Sequence, residues 1–219
     1  MRGSTGWLFW IAVLAGASYT LHAWGMADAG RFTAAWKTSG VGLLALWAAM
    51  QARSTDGWLL TGALALGALG DLLLETHGFV VGGVAFAVGH GVAIALYLRN
   101  RRERLSPSQR LMGLVIAPAT VLIAVMFAMP SGRAVAIGAY ALLLGAMAAA
   151  AWTSRFPRYR VGIGAMLFLL SDLLIFARMG PLIGSPLPRL VIWPAYFAGQ
   201  ALIAWGVATT LATGARTGR

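Results

Sequence analysis

Eight long apolar runs dominate this sequence, at positions 7–24, 32–50, 58–74, 79–98, 111–129, 134–152, 161–176 and 190–211. A helix needs about 20 apolar residues to cross the hydrocarbon of a bilayer. Eight such helices take up most of a 219-residue chain, leaving only short loops and two tails. The expected fold is therefore all-α: a polytopic integral membrane protein with eight transmembrane helices in a single domain spanning 1–219. Only 11% of the residues are charged, against about a quarter in a soluble domain. Such a chain cannot coat a water-soluble globule. Continuous runs, as at 141–151, favour helices over the alternating strands of a membrane barrel. With no cysteine, disulfides, thiolate metal sites and cysteine nucleophiles are excluded. The first run also resembles a signal peptide, with Ala27-Asp28-Ala29 as a small-residue cleavage site, but its apolar stretch is long for one.

The basic excess divides unevenly. Eight spans place both tails and loops two, four and six on one side. That side carries twelve of the seventeen basic residues: Arg2, Arg53, Arg99, Arg101, Arg102, Arg104, Arg110, Arg155, Arg158, Arg160, Arg216 and Arg219. Arg31, Lys37, Arg133, Arg178 and Arg189 fall on the other. The bias puts both termini in the cytoplasm. The cluster at 99–110 then reads as a stop-transfer and membrane-lipid contact, not a nucleic-acid site. Trp7, Trp24, Trp36, Trp58, Trp152 and Trp193 sit near run ends, as an aromatic belt requires. Sixteen Arg to one Lys, a single Asn and the Ala/Gly richness fit a GC-rich genome and a bacterial inner (plasma) membrane.

Of the six acidic residues, Asp28, Asp56, Glu75 and Glu103 belong to loops or helix ends. Only Asp71 and Asp172 are deep within spans. Charge there is costly, so it marks a functional site. Asp172 is expected near the midplane and Asp71 somewhat beyond it. His90, the Tyr196/Gln200 pair at i and i+4, and Lys37 fall at compatible depths. Asp71 and Asp172 stand four spans apart in similar segments, Gly70-Asp71-Leu72-Leu73-Leu74 and Ser171-Asp172-Leu173-Leu174-Ile175. Their spacing suggests a parallel 4+4 repeat. Each polar residue also has a plainer reading, as interhelical hydrogen-bonding glue or, for Lys37, a snorkelling cation. Glu75 and His77 are expected in solvent, and Trp47 and Trp205 in the core. Asp71, Asp172 and His90 form the only conceivable metal set, short of the paired histidines of a typical site. No metal and no cofactor is expected.

Four motifs together resemble the YhhN family of membrane proteins, which contains the lysoplasmalogenases. They are Gly70-Asp71-x-x-Leu74, Phe86-x-x-Gly89-His90, Phe168-x-x-Ser171-Asp172 and Tyr196-x-x-x-Gln200-x-Leu202-Ile203. Two positions depart from the family pattern: Ala93 stands where a Tyr is usual, with Tyr97 one turn on as a substitute, and Thr38 follows Lys37 in place of Pro. The resemblance implies an enzyme that cleaves the vinyl ether of a lysoplasmalogen, releasing a fatty aldehyde and a glycerophospho-ethanolamine or -choline.

That reaction begins with protonation of the vinyl β-carbon and passes through an oxocarbenium ion. Glycosidases meet the same cation with two carboxyl groups. Asp71 and Asp172 fit this division, one as general acid and one as cation stabiliser and water-orienting base. His90 is expected to hold an aspartate or the water. Tyr196 and Gln200 would bind the ether oxygen or glycerol hydroxyl, and Lys37 the phosphate of the lysophospholipid substrate. Rival readings are a proton-coupled small-molecule or lipid transporter, a metal-dependent lipid hydrolase, and a non-catalytic lipid-binding protein.

Overall fold

The computed structural model describes residues 5–216, and among these the chain is helical apart from turns and one isolated bridge. The eight α-helices are α1 (Gly6–Ala23), α2 (Thr33–Gln51), α3 (Thr55–Thr76), α4 (Phe79–Arg99), α5 (Pro107–Ala128), α6 (Ala134–Thr153), α7 (Ile163–Ala177) and α8 (Leu187–Arg216). They follow the eight apolar runs within a few residues. A turn of π-helix, Arg158–Gly162, leads directly into α7, so helix seven starts earlier than its apolar run. Six helical segments, from α3 onward, are long and apolar enough to cross a membrane. Trp, Tyr, His and Ser dilute α1, and Lys37, Thr38 and Ser39 dilute α2. The protein is an integral membrane protein. Its outer surface is accordingly apolar: Val135 and Leu114, for example, are 89% and 75% exposed, which suits lipid rather than water.

Helix starts follow local chemistry. Ser54 caps α3 by accepting from the Gly57 N–H. Ser106 and Gln109 form a reciprocal capping box at α5, with Pro107 in the first turn, where a missing N–H does no harm. Pro194 in α8 removes the donor for the Leu190 carbonyl. The Trp24 indole, from the end of α1, donates to that carbonyl at 2.9 Å.

Consecutive helices pack antiparallel except α4 and α5, where α4 packs on α6 instead, and α8 returns to touch α1, α2 and α3. The connections after α2, α4 and α6 meet at one end. There Asp56 accepts from Arg99 Nε and Asn100 Nδ2, each at 2.9 Å, and Arg155 Nε donates to Asn100 Oδ1 at 2.6 Å. At the opposite end Lys37 pairs with Glu75 at 2.8 Å, and Arg189 Nε donates to the Ala23 carbonyl at 3.1 Å. The first end carries Arg53, Arg99, Arg101, Arg102, Arg104, Arg110, Arg155, Arg158 and Arg160; we call it the basic end. Arg2 and Arg219 lie outside the described residues, as does the side chain of Arg216. Arg99 spends its charge on Asp56 rather than on lipid, and Glu75 is paired rather than free in solvent.

The tryptophans divide. Trp7, Trp24 and Trp58 are exposed near helix ends, as a belt requires. Trp193 is buried and donates to the Gly16 carbonyl at 2.8 Å, while Trp36 donates to Ser18 Oγ. An indole N–H inside an apolar bundle needs an acceptor, and these two find theirs on α1. Trp47 is buried against Phe9, as expected of a core residue. Helix α1 is thus a packed member of the bundle.

Glycines set the closest approaches. A Cβ on Gly40 of α2 would lie 2.5 Å from the Gly16 Cα of α1, and one on Gly199 of α8 would lie 2.6 Å from the Gly164 carbonyl oxygen of α7. Small residues let helices associate in this way within lipid. Gly40→Leu or Gly199→Leu should destabilise the detergent-solubilised protein by about 1–3 kcal/mol, read as a lower thermal midpoint. Gly83→Ala, in open space, should leave the midpoint unchanged.

Candidate active site

Asp71 sits five residues before the end of α3, and Asp172 five before the end of α7. Both are therefore ~7.5 Å inside the helix ends opposite the basic end. With the π turn counted in, Asp172 stands past the middle of helix seven rather than near its centre. The two carboxyl groups line one cavity of about 380 Å³ enclosed mainly by α3, α4, α6, α7 and α8.

Each carboxyl is buried and each is held by a phenol. Tyr196 of α8 donates to Asp71 Oδ2 at 2.8 Å. Tyr140 of α6 donates to Asp172 Oδ2 at 2.6 Å, while Ser171 Oγ, which donates to the Phe168 carbonyl at 2.6 Å, lies 3.3 Å from Asp172 Oδ1. An unpaired carboxyl at such a position is strongly unfavourable, so these bonds fix where four helices sit. Behind each phenol stands a second polar group. Gln200 Nε2 donates to Tyr196 Oη at 3.4 Å, and His90 Nε2 lies 3.1 Å from Tyr140 Oη. Tyr140 gives its own proton to Asp172, so the His90–Tyr140 bond requires a protonated His90 Nε2. The rings of Phe86, Phe168 and Tyr196 pack edge to face beneath the cavity, with centroids 5.1–6.0 Å apart. Gly70 makes room for the Phe86 ring, and Gly67 lies against Gln200 Nε2. This is the structural use of the Gly-x-x-Gly-Asp spacing in α3.

The expected site residues separate into two ranks. Asp71, Asp172, Tyr196 and Lys37 reach the cavity wall. His90 and Gln200 do not; they touch phenols that do. His90 is expected to hold an aspartate or the water; its Nε2 meets the Tyr140 hydroxyl, which stands between it and Asp172, and its ring packs on Phe168 of α7. Gln200 likewise meets the Tyr196 hydroxyl rather than the wall of this cavity. Lys37 reaches the cavity, but its ammonium group is taken by Glu75. Tyr97 packs on Phe156 toward the basic end and does not replace the tyrosine expected at position 93. Among the described residues no group of three or more His, Cys, Asp or Glu is gathered as metal ligands. Asp71 takes its partner from α8 and Asp172 from α6, which are not counterparts in a repeat that matches α3 with α7. The carboxyl–phenol pairing thus does not follow the repeat.

Tyr140 is the residue that sequence reasoning missed. Its signal was present, as the one phenol in an otherwise apolar run, but nothing in that run says which neighbour it meets.

A model of the YhhN family matches residues 32–207. The chain belongs to the YhhN family. All four motifs fall inside the matched region, as does Tyr140. Among curated proteins and among solved structures, no match to the chain is found.

Tyr140→Phe removes one donor from a buried carboxyl and one partner from His90. It should cost about 1–3 kcal/mol of stability. His90→Leu should cost less, because Asp172 keeps Tyr140. The double variant should be no less stable than Tyr140→Phe alone, since both act on one network. Thermal midpoints of the purified single and double variants check this.

Proposed function

We propose that this YhhN protein hydrolyses the vinyl ether of a lysoplasmalogen. The family is linked to that activity, and one observation carries the reading here: two buried carboxyl groups on the wall of one largely apolar cavity. Vinyl ethers resist base and yield to acid, so the reaction needs a carboxylic acid beside a carboxylate. Sites with two carboxyl groups divide into these roles by environment.

Asp172 accepts the shorter phenol bond, 2.6 Å from Tyr140 against 2.8 Å from Tyr196 to Asp71, which suits the carboxylate. Asp71 accepts from Tyr196 alone, and the nearby Lys37 charge is balanced by Glu75. We therefore assign Asp71 as the acid. Its proton goes to the β-carbon of the vinyl group, leaving an oxocarbenium ion next to Asp172. Asp172 stabilises that cation and takes a proton from the attacking water. The resulting hemiacetal collapses to fatty aldehyde and the free glycerol hydroxyl of the glycerophospho compound. In that collapse Asp172 returns its proton to the departing glycerol oxygen and Asp71 takes the hemiacetal hydroxyl proton, so one water is consumed and both carboxyl groups regain their starting states. Tyr140 and Tyr196 orient the two carboxyl groups, and His90 and Gln200 orient the phenols. In this reading all eight helices cross the membrane, and the more basic end, with both tails, faces the cytoplasm of a bacterial cell.

Asp71→Asn and Asp172→Asn should each lower aldehyde release from lysoplasmalogen by about a hundredfold or more, while the protein stays folded. Mass spectrometry of products from detergent-purified protein provides the measurement. Near-wild-type turnover in either variant sinks the acid-pair mechanism. Release in detergent, with no membrane gradient, also separates a hydrolase from a proton-coupled transporter. His90→Gln and Gln200→Ala, which act through phenols, should lower kcat less than either aspartate variant does.

A further inference from the structure

The cavity has an apolar side and a basic rim. On the side, Val80 and Val84 of α4 and Leu143 of α6 line it, yet Val80 is 72% and Val84 59% exposed on the surface that faces lipid. The wall they form is thus also the outside of the bundle. Helices α4 and α6 run in the same direction and are joined deeper down, where His90 meets Tyr140. Nearer their first turns the cavity lies between them, and a Cβ on Gly83 would meet no atom within 4 Å.

The rim is cationic. Arg133, just before α6, lines the cavity. Arg178, just after α7, lines an adjoining open hollow that shares Lys37, Ile192 and Trp193 with it. The two arginines flank one cluster, in which Ala134, Ile137, Phe176 and Met179 pack together. Lys37 is occupied by Glu75, and Arg189 by the Ala23 carbonyl. Among the described residues the side chains of Arg133 and Arg178 are exposed and have no ion pair or hydrogen bond.

We infer that the gap between α4 and α6 is a lateral door for a single-chain phospholipid from the leaflet at this end, with Arg133 and Arg178 receiving its phosphate. Guanidinium forks match phosphate geometry, and the apolar wall suits one hydrocarbon chain. A cavity of about 380 Å³ is near the lower limit for ligand sites, which favours one chain over two. Asp71 and Asp172 lie below the rim at the depth where the first atoms of the chain follow the glycerol. The door opens in the half of the membrane away from the basic end, so the lipid is drawn from that leaflet. The inference deepens the proposed hydrolase reading and rests on it for the lipid class, but it concerns binding and is tested by binding.

The probes are 1-palmitoyl lysophosphatidylethanolamine, whose acyl chain carries no vinyl ether, and 1-monopalmitoylglycerol, which lacks phosphate. Affinities are measured on the full-length protein by tryptophan fluorescence, with thermal midpoints as the check on folding. Arg133→Gln combined with Arg178→Gln should weaken lysophosphatidylethanolamine binding about tenfold or more and leave monopalmitoylglycerol binding unchanged. Gly83→Trp, built into open space, should weaken both. With no native cysteine, Ala139→Cys on the α6 side of the door offers a second readout: lysophosphatidylethanolamine should slow its reaction with a membrane-soluble maleimide. Unchanged lysophosphatidylethanolamine affinity in the double arginine variant overturns the phosphate assignment. Unchanged affinity in Gly83→Trp, or no protection of the cysteine, overturns the door. If wild-type protein binds as expected but releases no aldehyde from lysoplasmalogen, the hydrolase reading falls and the door stands. If it releases aldehyde while the variants bind normally, the reverse holds.

Discussion

Two carboxyl groups buried in an apolar bundle constrain everything around them. Neither can be left unpartnered without a penalty of several kcal/mol, and lipid offers no water to relieve it. The solution is one phenol for each, from a helix distant in sequence: Tyr196 for Asp71 and Tyr140 for Asp172. These two bonds tie α3 to α8 and α7 to α6. A second layer, Gln200 and His90, holds the phenols. The glycines of α3 follow from the same demand: at Gly67 and Gly70 a side chain would collide with Gln200 and Phe86.

The two ends of the bundle solve different problems. At the basic end, Asp56, Asn100, Arg99 and Arg155 lock three connections together, so several charges are spent on architecture. At the other end the connections are held more by tryptophan and arginine contacts to backbone carbonyls. The cavity opens there, where fewer bonds cross between loops. Rigidity at one end and access at the other suit a site that must hold carboxyl groups firmly and still admit a lipid.

Much of this was legible from residue order. Apolar runs located the helices because helix length in a bilayer is fixed by its thickness. The two aspartates stood out because charge within a span is rare and costly. Motif spacing in α3, α4, α7 and α8 carried the family. Less legible were pairings between elements. Glu75 reads as a solvated loop residue until α2 brings Lys37 beside it. Trp193 reads as an interfacial residue until Gly16 exposes a carbonyl to it. Tyr140 reads as one more residue of an apolar helix. In each case the partner is far away in sequence, and no local period encodes it.

Residue order alone determined that the chain is an all-helical membrane protein with two acids among its helices, because hydropathy and charge cost are properties of single segments. Tertiary structure decided that the acids share a cavity, that His90 and Gln200 stand behind phenols, and that α4 and α6 frame its outer wall. Those facts depend on which helix faces which. Such contacts arise only when distant segments pack.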